Sequence, residues 1–332
     1  MSDDKGIHQM TPAEQKRGLR ITVSFGLVYV LWGSTYLAMR IAVRDLPPYV
    51  AGATRYLISG PIMLLACALL GRKIRISRRD FRRLLLIGVL LLSIGNIGVL
   101  TAEQYVSSGL AALIVALVPI WVVIIEAWIF RAGRMSPQGI FGLALGIGGL
   151  LLLLWPRIFS GTHHGHQELF GCGILAAASF AWALGSVFSH RFNLTVDVFA
   201  SAAWEMTLGG VVNAAIALLT GQLFKAHWSV PALSSIGYLV VAGSWIGYTC
   251  YIYLLNHVPT PKVATYAYVN PIVALILGWL VLRERVDVFM IVGTAIIIAS
   301  VALVNTSKLK QAQAETPMSE ETCPKIVNVG GD

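Results

Sequence analysis

Charged side chains are scarce in this sequence, and their scarcity excludes an ordinary soluble fold. Only 12% of the 332 residues are Asp, Glu, Lys or Arg, whereas 56% are hydrophobic. Soluble domains carry roughly 25% charged residues, which they need to cover their surface. The composition therefore predicts a chain that lies in a lipid bilayer.

Catalytic and metal-binding motifs are also missing. The sequence has no zinc-protease, P-loop, nucleophile-elbow or dinucleotide-binding pattern. For the histidine-rich tract His163, His164 and His166, an exposed loop is favoured over a weak metal site. The four cysteines lack paired spacing, and we interpret them as small apolar side chains. We expect no cofactor, no metal and no enzymatic activity. The cysteines are Cys67, Cys172, Cys250 and Cys323.

Long apolar runs are what the sequence has instead. Each is close to the roughly 20 residues that a helix needs to cross a hydrocarbon core of about 30 Å. Only short polar links separate them, so no soluble domain fits between them. The polar tails 1–19 and 306–332 are predicted to be disordered. The runs lie near residues 20–40, 47–70, 84–102, 109–130, 138–155, 170–189, 197–220, 233–255, 262–282 and 286–304.

Basic residues predict the orientation of the chain. The largest cluster lies between the second and third apolar runs, from Arg72 to Arg83, and short basic links face the cytoplasm. Both ends of this multi-pass chain are then predicted to be cytoplasmic. We interpret the net charge of +9 as a topology signal and not as a nucleic-acid-binding surface. The expected partners are the lipid bilayer, whose anionic headgroups the basic residues can contact, and a small-molecule substrate.

The sequence also repeats itself at a separation of about 150 residues. Residues 51–71 align with residues 201–221, with Gly60 on Gly210. Five apolar runs per copy is an odd number, so the second copy enters the membrane from the opposite side. We predict an all-α membrane protein whose ten transmembrane helices form two inverted five-helix repeats. The two repeats span residues 20–157 and 168–305.

Several short motifs of the apolar runs form a recognisable set. They are Trp32 to Tyr36, Arg55, Gly95, Pro119, Tyr266 to Pro271 and Glu284. This set resembles the motifs of the EamA-type permeases of the drug/metabolite transporter superfamily, and of a bacterial inner-membrane subgroup in particular. The resemblance covers about residues 20–305 and implies a ten-helix, inverted-repeat carrier with a central cavity in a bacterial inner membrane, often an exporter of amino acids or other small metabolites. The family's Gly-Glu pair after the fourth helix is replaced here by Arg131-Ala132-Gly133-Arg134, so a role that needs both acidic groups is not expected.

Two charged residues fall inside apolar runs, where charge is costly. Arg55 and Glu205 occupy equivalent positions in the two repeats, each about 12 Å deep at 1.5 Å per residue. They are therefore predicted to lie at similar levels near the membrane midplane. One hypothesis is that they form a salt bridge that rearranges during transport. Another is that they bind the carboxylate and the ammonium group of a zwitterionic substrate separately. A static ion pair, or two side chains that reach water along helix surfaces, is the alternative.

Polar and aromatic residues at helical spacing are candidates for lining a cavity. Trp32, Thr35 and Tyr36 share one helix face, and Tyr266 and Asn270 share another. Such faces suit a medium-sized amphipathic solute, although helix packing or an interfacial aromatic belt is the default explanation for any single residue. The substrate-binding candidates are Arg55, Glu205, Trp32, Thr35, Tyr36, Asn96, Tyr248, Tyr266 and Asn270.

Pro119 and Pro271 lie at matching mid-helix positions, where proline removes a backbone hydrogen bond. They are candidate hinges, with plain packing bends as the alternative. Glycine-rich faces of the fifth and seventh helices indicate close packing, or a dimer contact through the fifth and tenth helices, so a monomer and a homodimer both remain open.

Three acidic residues are candidates for coupling or gating. Glu103 is expected either to gate the outer mouth or to be solvated. Glu126 is expected to pair with Arg131 or reach water, with proton coupling as the sharper interpretation. The resemblance adds Glu284.

These features favour a secondary carrier that exports small amphipathic metabolites such as amino acids by alternating access, with a proton gradient or downhill flux as its driving force. An importer or exchanger of a larger anionic metabolite, or a drug efflux carrier, is the alternative within transport. An intramembrane enzyme or sensor is a remote alternative, because catalysis needs mutually positioned groups.

Overall fold

The protein is helical in the parts that the computed structural model describes, which are residues 12–130, 137–159 and 163–314. No strand occurs in these ranges, which confirms the predicted all-α class. Two shorter segments, Gln222–Lys225 and Thr260–Val263, form a 3₁₀ turn and a short α-helix. The long helices are α1 (Pro12–Ala42), α2 (Pro48–Leu69), α3 (Arg78–Ala102), α4 (Ser108–Ile129), α5 (Pro137–Phe159), α6 (His163–Arg191), α7 (Val198–Leu219), α8 (Val230–His257), α9 (Tyr266–Leu282) and α10 (Val288–Ala314).

Eight helices, α1 to α8, are long and apolar enough to cross a membrane by length and composition. The apolar parts of α9 and α10, Val269–Leu282 and Val288–Ser300, are shorter. The chain is therefore a multi-pass membrane protein.

Several helices are longer than the apolar runs that predict them. Residues 12–19 are helical, although they belong to the predicted polar tail, and α10 continues to Ala314. Good helix formers such as Ala13 and Gln15 let a helix extend beyond its apolar part. The histidine tract begins α6 and does not form a loop; Cys323 and residues 131–134 lie outside the described ranges.

Short polar side chains begin five of the described helices. Each accepts a backbone N–H two or three residues later and so satisfies one of the donors that a helix start leaves unpaired. These polar residues lie in the links between apolar runs, where they define the helix starts. The caps are Ser77 on α3, Ser107 on α4, Asp197 on α7, Ser229 on α8 and Asp287 on α10.

Helix α2 packs against α7, its equivalent in the other repeat. Arg72, just after α2, donates to Asp197 at the start of α7 over 3.1 Å. Tyr49, in the first turn of α2, donates its N–H to Gln222 just after α7 over 3.3 Å. The end of each helix thus meets the start of the other, so α2 and α7 are antiparallel.

Helices α5 and α10 form a second such pair. The Ser300 hydroxyl donates to the carbonyl of Gly142 over 2.6 Å, and a Cβ on Gly293 would lie 3.1 Å from that of Leu153. Later residues of α5 thus meet earlier residues of α10, which makes this pair antiparallel. The glycines of α5 and α10 allow this close approach within a single chain.

Contacts between links define two ends of the bundle. At the first, which we call the Arg72 end, the Thr195 hydroxyl donates to Asp80 over 2.6 Å beside the Arg72–Asp197 pair. At the second, the Glu284 end, Glu284 binds the start of α4.

The helices α3 and α8 contain π-helical segments at equivalent positions, Val89–Asn96 and Leu239–Tyr248. A third π segment, Ile125–Ile129, ends α4. Helix α4 is also broken by a turn at residues 116–117, directly before Pro119. The π segments of α3 and α8 contribute residues to the walls of the central cavity described below, and π turns are often found at functional sites.

Candidate functional site

A cavity of about 50 Å³ lies in the middle of the bundle, between α1, α2, α3, α8 and α9. This volume accommodates only a few water molecules, each of which needs about 10–15 Å³ by this measure. A metabolite therefore fits only when the helices around the cavity separate. Eight of the nine predicted substrate-binding residues line it: Trp32, Thr35, Tyr36, Arg55, Asn96, Tyr248, Tyr266 and Asn270.

Arg55 places a guanidinium group against this cavity. Its side chain is buried, and its Nε donates to the Ser244 hydroxyl over 2.8 Å while Nη1 donates to Oδ1 of Asn96 over 3.3 Å. Gly243 provides the space, because a Cβ there would lie 2.6 Å from Nη2 of Arg55. Within the described residues, no carboxylate forms a salt bridge with Arg55. A buried cation with only neutral partners is costly for the protein, and an anionic ligand would offset that cost.

Glu205 lies behind the cavity wall and not on its surface. The carboxylate is fully buried, and Oε2 accepts the hydroxyl of Tyr248 over 2.6 Å. Its second oxygen has no hydrogen-bond partner in the described part of the chain. Arg55 and Glu205 are predicted to lie at similar depths, but they do not form an ion pair. Each bonds instead to a residue of α8: Arg55 to Ser244, and Glu205 to Tyr248.

Trp32, Trp182 and Tyr266 form an aromatic wall of the cavity, and Tyr251 packs against these rings without lining the cavity itself. Trp32 contacts Trp182, Tyr251 and Tyr266 with centroid distances of 5.4, 4.7 and 5.2 Å. The indole N–H of Trp182 donates to the Tyr251 hydroxyl over 3.1 Å. The sequence-based candidates omit Trp182 and Tyr251. The equivalence of Trp32 and Trp182 in the repeat identifies the first, and the i, i+3 spacing of Tyr248 and Tyr251 on one helix identifies the second.

Polar candidates near this wall also bond to backbone carbonyls. The Thr35 hydroxyl donates to the carbonyl of Trp32 over 2.7 Å. With its amide group oriented to donate, Asn270 bonds the carbonyls of Tyr29 over 3.0 Å and Tyr266 over 3.2 Å. Asn270 therefore links α9 to α1 beside the cavity.

Glu103 lies just after α3, toward the Glu284 end. The expectation of a solvated carboxylate is wrong, because the side chain has no exposed surface and neither oxygen has a hydrogen-bond partner among the described residues. Burial raises the pKa of the Glu103 carboxyl well above its usual range, while Arg40 opposes this increase and Glu284 adds to it. The Glu103 carboxylate also acts electrostatically on Tyr36, which lines the cavity.

Glu284 binds the first turn of α4. Its carboxylate accepts the N–H and hydroxyl of Ser108 over 3.0 and 2.8 Å and the N–H of Gly109 over 3.4 Å. Arg283, in a left-handed conformation with φ 56°, turns the chain so that Glu284 meets this helix start. The hydroxyl of Thr260, at the equivalent helix start, is buried without a partner in the described structure. Residues 131–134, which the repeat would bring there, lie outside the described ranges.

The remaining candidates lie away from the cavity. Glu126 is half-buried in the π segment that ends α4, and its predicted partner Arg131 lies outside the described ranges. Pro119 follows the break in α4, whereas Pro271 lies inside α9. Their role as hinges stays a prediction.

Comparison with known proteins supports the resemblance found in the sequence. The model of the EamA-like transporter family matches residues 20–155 and again residues 169–306. The uncharacterized inner membrane transporter YedA of Escherichia coli K12 is 33% identical over 282 residues, which cover 85% of this chain and 89% of YedA. The uncharacterized transporter YoaV of Bacillus subtilis is 25% identical over 280 residues, which cover 83% and 94% of the two chains.

One solved crystal structure has a similar fold. Its TM-score is 0.62 at 19% sequence identity, and the match covers 86% of this chain and 96% of that chain. At this identity the similarity shows the fold alone.

Proposed function

Because this chain belongs to the EamA-like transporter family, whose model matches both of its halves, we propose that it moves a small amphipathic metabolite with an anionic group across the membrane. An amino acid is the class that we favour. Transport occurs by alternating access, and the proposed direction is export, which the sequence resemblance implies.

Arg55 is the observation that carries the proposal. Its buried guanidinium faces the cavity and has neutral partners: it donates to Ser244 and Asn96 and lies 4.9 Å from the ring centre of Tyr56. A carboxylate in the cavity would replace the longer bond to Asn96 with a charge-assisted one. Arg55 is the one Lys or Arg among the described cavity residues, so a nucleotide sugar with several phosphate charges is disfavoured.

The aromatic wall supports an amphipathic substrate. Trp32 and Tyr266 offer ring faces for an apolar or cationic group, whereas Tyr248 and Asn96 offer polar groups at the same cavity. Glu205 accepts a hydrogen bond from the Tyr248 hydroxyl. In this proposal it therefore orients Tyr248 and does not contact the substrate directly.

The antiparallel pairing of equivalent helices supports the predicted inverted repeat. A helix and its equivalent that run in opposite directions, as α2 and α7 do, require one copy to be turned over relative to the other. We therefore propose ten transmembrane spans, with α9 and α10 as the last two. The basic link 71–77 lies at the Arg72 end, so this end and both chain termini are assigned to the cytoplasm. The inner membrane is the proposed location, as the name of YedA states for that protein.

Alternating access requires the small cavity to widen. In this proposal the helices separate at one end at a time, while the break before Pro119 and the π segments of α3 and α8 allow local bending. Glu284 holds α4 at the outer end, so opening there is coupled to the position of the link after α9.

Glu103 is the proposed proton-coupling group. It is buried without a hydrogen-bond partner in the described structure, and the groups that face it are Tyr36 and Arg40 of α1 and Glu284 after α9. Protonation would remove a buried negative charge near the cavity and so couple the proton to movement of α1.

Flux through proteoliposomes tests this function. Purified protein is screened with labelled amino acids, with and without an imposed pH gradient. We expect saturable flux of at least one compound, loss of flux in Arg55→Ala, and loss of the response to the gradient in Glu103→Gln. Arg75→Ala, which removes an exposed arginine outside the cavity, is the control and should transport normally. Unchanged flux in Arg55→Ala would overturn the proposed role of the cavity.

A further inference from the structure

A second cavity opens on the side of the bundle, away from the central one. It has a volume of about 520 Å³ and lies between the first part of α1, the start of α7 and the second half of α8. Its α1 wall carries Leu19, Val23 and Leu27, which share one helix face at four-residue spacing. We call this cavity the lateral groove.

Two arginines stand at the mouth of the lateral groove, at the Arg72 end. Arg20 is exposed and makes no side-chain hydrogen bond or ion pair within the described residues. The guanidinium of Arg72 lies 4.4 Å from the ring centre of Phe199, which also lines the groove. Both hydrogen bonds of Arg72 to Asp197 are made by Nη1, and a guanidinium has five N–H donors in all. The mouth can therefore bind an additional anion.

The groove runs from this basic mouth into the apolar part of the bundle. From Leu19 to Leu27 the α1 wall extends about 12 Å at 1.5 Å per residue. Phe199 and Tyr253 face it from α7 and α8. Leu19 and Val23 are 65% and 50% exposed, so this wall is accessible to a long apolar ligand.

We propose that the lateral groove is a binding site for one anionic phospholipid of the cytoplasmic leaflet. The phosphate lies between Arg20 and Arg72, and an acyl chain lies along Leu19, Val23 and Leu27. A free anion would use the arginines and leave the apolar wall uncovered, whereas a zwitterionic lipid would bring a cation that offsets the charge of its phosphate. The combination of charge and apolar wall thus favours an acidic lipid.

The groove lies on the boundary between the two family copies. The first copy begins at Arg20, directly after Leu19, and it includes Arg72. Phe199 and Tyr253 belong to the second copy. A lipid bound here contacts both copies at the cytoplasmic end. It therefore stabilises one relative position of the two copies.

Lipid binding to the purified full-length chain in detergent micelles tests this proposal. Native mass spectrometry is used to compare phosphatidylglycerol with phosphatidylcholine of the same acyl chains. We expect phosphatidylglycerol to bind about tenfold more tightly, since two arginines face the headgroup. The preference should disappear in the Arg20→Gln/Arg72→Gln variant and persist in Arg75→Gln/Arg79→Gln, which removes two exposed arginines at the same end but outside the groove.

A second variant separates the two parts of the site. Val23→Trp fills the apolar wall and keeps both arginines, so it should weaken phosphatidylglycerol binding without changing elution as a folded monodisperse protein. Inorganic phosphate at millimolar concentration should not displace the lipid. Equal binding of the two lipids, equal losses in both double-arginine variants, or displacement by phosphate would overturn the proposal.

Discussion

Glu284→Ala is expected to destabilise the protein by removing the carboxylate that holds α4. In the native structure this carboxylate accepts bonds of 3.0, 2.8 and 3.4 Å from Ser108 and Gly109. Hydrogen bonds to charged groups contribute about 1.5–3 kcal/mol each, and a negative charge at a helix start adds about 0.3–1 kcal/mol. Glu284 is only half-buried, and its three bonds share two oxygens. We therefore expect a total of about 2 kcal/mol, below the simple sum.

This loss is measurable as a change in denaturation temperature. The entropy of unfolding is about 2.1 cal/mol/K per residue. For a chain of 332 residues, about 2 kcal/mol therefore corresponds to a decrease of about 3 °C. Fluorescence of the nine tryptophans reports unfolding in detergent. Arg285→Ala, at the exposed neighbouring residue, is the matched control and should shift the temperature little. A decrease below about 1 °C for Glu284→Ala, or an equal decrease in the control, would refute the role of Glu284 as a helix cap.

Two further predictions concern the cavity and its outer end. Gly243→Val should reduce transport at least about tenfold, because a Cβ at this position would lie 2.6 Å from Nη2 of Arg55 and displace the guanidinium. Gly237→Val is the control on the same helix. A Cβ there has no atom within 4 Å, so this variant should retain normal flux. Glu103→Gln should be progressively more stable than the native protein as the pH rises above about 4.3. The raised pKa of Glu103 means that the folded state holds a proton that the unfolded state releases, so native stability falls with pH. Denaturation temperatures from pH 5 to pH 8 measure this difference, and a constant difference would contradict the burial of Glu103.

Helical spacing was sufficient to predict that several candidate residues lie together at one cavity. The i, i+3, i+4 spacing of Trp32, Thr35 and Tyr36 places them on one helix face, and the structure puts all three at the cavity. The repeat likewise relates α2 to α7, which pack together. These features follow from local geometry and from the apolar pattern, both of which are visible in a sequence.

Features that depend on tertiary packing could not be predicted in this way. Counting residues along each helix predicts that Arg55 and Glu205 lie at similar levels. Their hydrogen-bond partners, Ser244 and Tyr248, depend on how α8 packs against α2 and α7. The π segments in α3 and α8 have no simple residue signature. Glu103 lies in a polar link, and only the packing of neighbouring helices shows that its carboxylate is buried.

The central claim is that Arg55 binds the anionic group of the transported metabolite. Its most direct test is a binding cycle that compares the native protein and Arg55→Gln with a transported amino acid and with the corresponding amide, which lacks the carboxylate charge. We expect the native protein to lose affinity for the amide by about tenfold or more, and Arg55→Gln to bind both compounds equally weakly. An equal loss of affinity for the amide in both proteins would contradict the claim.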